Sequence, residues 1–436
     1  NNNNSMETVI LGRVPASERK SWINIAAIQA GIMISIPCIM LGQTLATGMS
    51  LGNAVAATVI GFAVSVVLMT LIGMQSSDLG RPMSVAASSA FGKVGIRIFL
   101  TTLFSVALIC WFGYQTVVCG QAFANLCSEF FVFHINITLS TVIWGVVMLV
   151  TAMYGINALG WLNNIAVPAL IIVTISGTII AINTYGLEAL YAYVPEKGSE
   201  ISLFQGIVMV FGAQSCGTVV TGDITRFQRS RKDTFLSTVI GVFPVSLIMI
   251  IMGYIMAVLT GESDISMILC TLGLPLLGMI VLILATWTTN TTNSYSAGID
   301  MTMLFNAKDK YRSLMTAIAG IAGTILAVTG IMNTFMTFIT VCGYAFGPVA
   351  GVMIADYWFY RKADPDKWFY KEGIDWVAVI SWAAGVALTV VMSTDLAVFI
   401  GMVLSFVLYL ILRKFIPEKR NIVVETATET TKETEA

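Results

Sequence analysis

Apolar residues in this chain run in long blocks, each closed by a short polar stretch. A membrane-crossing helix needs about 20 such residues, because unpaired backbone amides are costly in hydrocarbon and a helix pairs them within one segment. Twelve blocks qualify, near 22–48, 52–75, 97–126, 138–158, 160–184, 202–221, 235–260, 268–298, 313–331, 333–357, 374–393 and 395–415. The pattern predicts an all-α integral membrane protein of twelve transmembrane helices.

The polar stretches test that count, since Lys and Arg collect in alternate loops facing the cytoplasm. Arg13, Arg19 and Lys20 precede the first block; Arg81, Lys93 and Arg97 follow the second; Arg226, Arg229, Arg231 and Lys232 follow the sixth. Lys308, Lys310 and Arg312 follow the eighth, and Arg361, Lys362, Lys367 and Lys371 follow the tenth. With Arg413, Lys414, Lys419, Arg420 and Lys432 after the twelfth, 22 of the 23 basic residues share one side, leaving Lys197 opposite. Both termini are therefore expected to be cytoplasmic, in a multi-pass protein of the cell inner (plasma) membrane.

Composition agrees. Hydrophobic residues make up 57% and charged residues 11%, against about 25% charged in a soluble domain. A net charge of -1 gives no sign of a nucleic-acid partner; the expected surroundings are a lipid bilayer, and the expected state is a monomer. Cys38, Cys110, Cys119, Cys127, Cys216, Cys270 and Cys342 lie in or beside apolar blocks without paired spacing, as small core residues do. A membrane enzyme would carry intramembrane clusters of His, Cys or carboxylates. The one histidine, His134, falls in an outer loop, and Asp223, Asp300 and Asp356 sit at or near cytoplasmic helix ends where ion pairing or gating is expected. No enzyme is expected.

Several blocks are interrupted. In the first, Gly31 and Pro37 bracket Ile34 and Ser35; in the sixth, Gly212, Gln214, Ser215, Cys216, Gly217 and Thr218 form a small, polar cluster. Discontinuous helices at matching places of two inverted repeats point to a transporter's central site, because broken ends present carbonyls and amides to ions and substrate. First and sixth are such places in two five-helix halves. The eighth block carries Trp287-Thr288-Thr289-Asn290-Thr291-Thr292-Asn293-Ser294. The hydroxyls of Thr288 and Thr289, with the Ala285 carbonyl one turn earlier, are hard oxygen ligands of the kind Na⁺ accepts; Ser and Thr also bond back to their own helix. In the third block Trp111 offers a stacking face and Gln115, one turn on, an amide donor and acceptor.

These residues resemble the nucleobase-cation symport family, most of all its cytosine permease branch. The resemblance spans nearly the whole chain: "VPASERK" (Val14 to Lys20), "WFG" (Trp111 to Gly113), "SCGTVVTGDITRF" (Ser215 to Phe227), "WTTN" (Trp287 to Asn290) and "GPVAGVMIADY" (Gly347 to Tyr357). It implies a leucine-transporter-like fold, a five-plus-five inverted repeat plus two C-terminal helices, with helices 1 and 6 discontinuous, working by alternating access. It implies sodium or proton coupling, with sodium carbonyls on Gly31, Ile34 and Ala285 and hydroxyls on Thr288 and Thr289. The family's stacking tryptophan falls on Trp111, and Gln115 matches an amide used by hydantoin carriers. Two departures bear on substrate. Leu108 stands where cytosine permeases place a glutamine. The second aromatic wall, on the sixth helix, falls on Ala213 or Gln214 depending on the anchor.

The expected function is sodium-coupled symport importing a small nucleobase or related heterocycle. Its expected substrate contacts are Ser35, Trp111, Gln115, Gly212, Ala213, Gln214, Ser215, Asn290 and Asn293. A proton-coupled carrier of another cyclic amide, ureide or hydantoin is the alternative, and a non-transporting sensor or a channel is the rival from another class. On this reading residues 1–5, ahead of Met6, are an expression-derived leader and 6–21 a cytoplasmic N-terminus. Residues 22–357 form the transport core of helices 1–10, 374–415 helices 11 and 12, and 416–436 a disordered, Glu- and Thr-rich cytoplasmic tail.

Overall fold

The computed structural model describes residues 13–130, 133–154, 160–392 and 394–418. The leader, residues 6–12 and most of the expected tail (419–436) lie outside the described residues. The main helices are α1 (Trp22–Met33), α2 (Ile36–Ala46), α3 (Leu51–Leu79), α4 (Thr101–Phe130), α5 (Ile137–Tyr154), α6 (Gly160–Tyr185) and α7 (Leu203–Val220). They continue with α8 (Arg231–Thr260), α9 (Pro275–Leu304), α10 (Arg312–Val328), α11 (Phe335–Ile354), α12 (Trp376–Val391) and α13 (Ala397–Phe415). Among the described residues no β-strand forms; one isolated bridge pairs Lys20 with Gln228.

Eight described helices are long and apolar enough to cross a membrane, and α1 with α2 qualifies as a ninth, bent by 52°. The remaining three expected blocks are α5, α10 and α12, apolar but shorter. Apolar side chains also cover the outside: Val67, Ile172, Ile248 and Val403 are each more than half exposed, as expected where the surrounding solvent is lipid.

The helices sort into two packed groups with a linker. α8 rests against α1, α2 and α3, and α7 against α3; separately, α4, α5, α9 and α10 pack on one another. α6 touches both α8 and α9, while α11 packs on α7 and carries α12 and α13. In order of span, the first group is 1, 2, 6 and 7 and the second 3, 4, 8 and 9.

Close crossings depend on missing side chains. A Cβ on Gly42 of α2 would lie 2.0 Å from the Ile250 carbonyl oxygen, and one on Gly253 of α8 would lie 2.5 Å from that of Ile39. Small residues let backbones approach where lipid offers no hydrophobic drive for association.

The expected break in the first span is present, between Met33 and Ile36. That in the sixth is not: α7 is one continuous α-helix from Leu203 to Val220, and the chain turns only at Thr221. The polar cluster is accommodated within the helix, its hydroxyls bonding back to carbonyls of their own helix. Ser215 Oγ donates to the Gly212 carbonyl at 2.7 Å and Thr218 Oγ1 to that of Gln214 at 3.1 Å.

Candidate functional site

The first-span break is local chemistry. Ile34 (φ -77°, ψ 80°) and Ser35 (φ -147°, ψ 156°) leave the helical region, and Pro37 opens α2, where its missing N–H needs no partner. Ile34 N–H still donates to the Ala30 carbonyl at 3.0 Å. The following carbonyls of a helix end have no partner within the helix, and those of Gly31 and Ile34 are among them. Ser35 Oγ lies in the break, 3.8 Å from Cys38 Sγ.

On α9, Thr288 Oγ1 and Thr289 Oγ1 both donate to the Ala285 carbonyl, at 3.0 and 2.9 Å. Three oxygens of the expected sodium set are thus gathered on one turn. α9 meets the first span through α2, whereas α1, which carries Gly31, rests on α8. The α9 half is therefore assembled as one cluster.

Trp111, on α4, sits in an aromatic cluster that sequence reasoning did not find. Its ring centroid lies 5.2 Å from Phe338, 5.9 Å from Phe335 and 6.3 Å from Tyr114, all edge-on. Tyr114 in turn shares a 2.9 Å hydrogen bond with Thr334 Oγ1. Neither Ala213 nor Gln214 supplies a second aromatic wall; aromatic neighbours come from α11. The signal was Phe335 and Phe338, three residues apart and so on one helix face, though nothing in their own block says which helix that face meets.

Gln115 is 1% exposed, and its Oε1 is buried without a hydrogen-bond partner. Gln214 is buried too, with Nε2 only 3.7 Å from Met69 Sδ. Gly212 lies under α11, where a Cβ would stand 1.9 Å from the Ile339 carbonyl oxygen. Gly212 therefore serves helix packing here, and the Ser215 hydroxyl bonds within α7.

Asn290 departs from its expected role as a free hydrogen-bonding group. It is fully buried, and its Nδ2 donates to the Phe112 carbonyl and to Thr116 Oγ1, both at 2.9 Å. Its amide group ties α9 to α4. Asn293 Nδ2 donates to Asn290 Oδ1 at 3.3 Å, so the two asparagines form a chain leading out from that tie.

Of the carboxylates expected at the basic end, Asp356 forms an ion pair, whereas Asp223 accepts from the Met83 N–H at 2.8 Å; Asp78, not singled out from the sequence, is paired as well. Asp356 accepts from Arg361 Nε at 3.0 Å, and the two are 1% and 3% exposed. Asp78 on α3 receives Arg231 of α8 at 2.7 Å and also the Tyr357 hydroxyl. All seven cysteines are free, and among the described residues no group of His, Cys, Asp or Glu could hold a metal.

The chain resembles known transporters throughout. It is 29% identical over 378 residues to the cytosine permease of Escherichia coli (strain K12), covering 86% of this chain and 87% of that protein. It shares its fold with the inward-facing conformation of Mhp1, at a TM-score of 0.81 and 20% identity over 93% of each chain. A closed conformation of Mhp1, a nucleobase-cation-symport-1 family transporter with bromovinylhydantoin bound, matches at 0.75 and 21% over 93% of this chain and 95% of that one. Residues 13–412 match the family of permeases for cytosine/purines, uracil, thiamine and allantoin, and the chain belongs to that family of membrane transporters.

Proposed function

We propose that this permease is a sodium-coupled symporter importing a small planar heterocycle, a nucleobase or hydantoin, by alternating access. The observation that carries the substrate reading is Gln115 Oε1, a buried acceptor without a partner one helical turn from Trp111. A ring stacked on Trp111 with an N–H toward Gln115 would satisfy it. The relatives named for cytosine and found with a hydantoin bound have the same ligand chemistry.

Sodium coupling is supported by the oxygen cluster of Ala285, Thr288 and Thr289 and by the broken first span with its free carbonyls. In this reading Na⁺ bridges the carbonyls of Gly31 and Ile34 and the α9 oxygens. Twelve spans in a five-plus-five arrangement are supported by the packing, because spans 1 and 2 share a group with 6 and 7, and 3 and 4 with 8 and 9. The basic loops support a cytoplasmic position for both termini.

Purified protein is tested by thermal shift against cytosine and hydantoin, each in Na⁺ and in choline. A ligand bound to the folded state raises the melting temperature by mass action, and coupling makes the rise larger in Na⁺. A rise equal in both salts overturns sodium coupling and points to protons. A rise in Na⁺ without counterflow of labelled substrate in proteoliposomes overturns transport and points to a sensor.

A further inference from the structure

At the end of the bundle away from the basic loops, a cavity of about 340 Å³ opens between α2, α4 and the start of α11. Its size lies within the range of small-molecule sites, about 300–1,000 Å³. Gln43 of α2 lines it, is 6% exposed, and leaves Nε2 buried with no hydrogen-bond partner. Buried side-chain donors in native proteins are nearly always partnered, so a donor left open at a cavity wall marks where a ligand's acceptor belongs.

The same cavity is also lined by a carboxylate. Asp264, which also lines it, accepts from Ser266 N–H and Oγ through Oδ1 alone, both at 2.9 Å. Both bonds use Oδ1, which leaves Oδ2 of this half-buried carboxylate as a further acceptor. Ser266 Oγ is itself held by Asn125 Nδ2 at 2.7 Å, which fixes the carboxylate in place. Burial pushes the Asp264 carboxyl up, against the lowering effect of the Ser266 hydrogen bonds. Gln121 and Asn333 add polar groups, while Phe335 supplies an apolar ring. Phe335 is also a ring neighbour of Trp111, centroids 5.9 Å apart, so the cavity and the central tryptophan share this side chain.

We propose that this cavity is a second, outer binding site for the permease's own substrate class, a small neutral cyclic amide. The ligand gives a ring carbonyl to Gln43 Nε2 and a ring N–H to Asp264. It waits there before Phe335 moves aside and admits it to Trp111. The proposal rests on the central-site reading above, and its test separates the two.

Binding of tritiated cytosine to the full-length protein is measured by equilibrium dialysis, with tritiated hydantoin as the second probe. Wild type should give a two-phase isotherm. Gln43→Leu removes an already unpartnered group and preserves volume, so it should fold and should delete one phase, while Gln115→Leu deletes the other. The double variant should bind neither probe. A single phase that Gln115→Leu abolishes and Gln43→Leu leaves unchanged overturns the outer site and keeps the central one. A single phase lost only in Gln43→Leu keeps the outer site and overturns the central reading. Absence of binding of both probes to wild type overturns both.

Discussion

Gln115 and Asn290 are both buried amides on facing helices, and the structure assigns them opposite consequences when removed. An unpartnered buried acceptor costs about 1–3 kcal/mol, so Gln115→Leu, which deletes the open Oε1, should leave the ligand-free protein as stable or more stable by about 1 kcal/mol. Asn290→Ala deletes two interhelical bonds of 2.9 Å. Such bonds average about 0.6 kcal/mol each in membranes, and the small cavity left adds about 1 kcal/mol, so a loss of about 2 kcal/mol is expected. The assay is melting temperature in detergent, with and without cytosine or hydantoin in Na⁺. Gln115→Leu should keep its ligand-free melting point and lose the ligand-induced rise; Asn290→Ala should melt several degrees lower and keep the rise. If Gln115→Leu destabilises as much as Asn290→Ala and still responds to ligand, the open acceptor is not a substrate contact and the reasoning fails.

Thr289→Ala removes a hydroxyl that bonds only its own helix at Ala285, so ligand-free stability should hardly change while the sodium-dependent part of the thermal shift disappears. Gly212→Ala places a Cβ 1.9 Å from the Ile339 carbonyl oxygen; α7 and α11 must separate, at about 1–3 kcal/mol, which denaturant titration would read. Asp356→Asn removes one of two carboxylates on Arg361, which keeps Glu418 at 2.9 Å, and should destabilise by about 1–3 kcal/mol, the cost of a lost charged hydrogen-bond partner. Pairing it with Arg361→Met should recover much of that loss, so a double variant no better than the single one would contradict the ion-pair account.

The sequence by itself determined the helical membrane class, because twenty apolar residues in a row have no other stable form in lipid. It determined the first-span break too, since Pro37 shapes its own backbone whatever packs around it. The turn of α9 that joins Ala285, Thr288 and Thr289 was equally legible, being set by helical spacing alone. Tertiary structure decided matters that depend on which faces meet. The polar cluster at Gly212 to Thr218 reads as a break, yet stays helical where α11 presses against Gly212. Asn290 reads as a free amide until α4 brings Phe112 and Thr116 beside it. The aromatic partners of Trp111 come from Phe335 and Phe338, more than 200 positions away. Chain spacing sets what lies along a helix, but contacts between helices follow from close packing of whole faces, which no single block encodes.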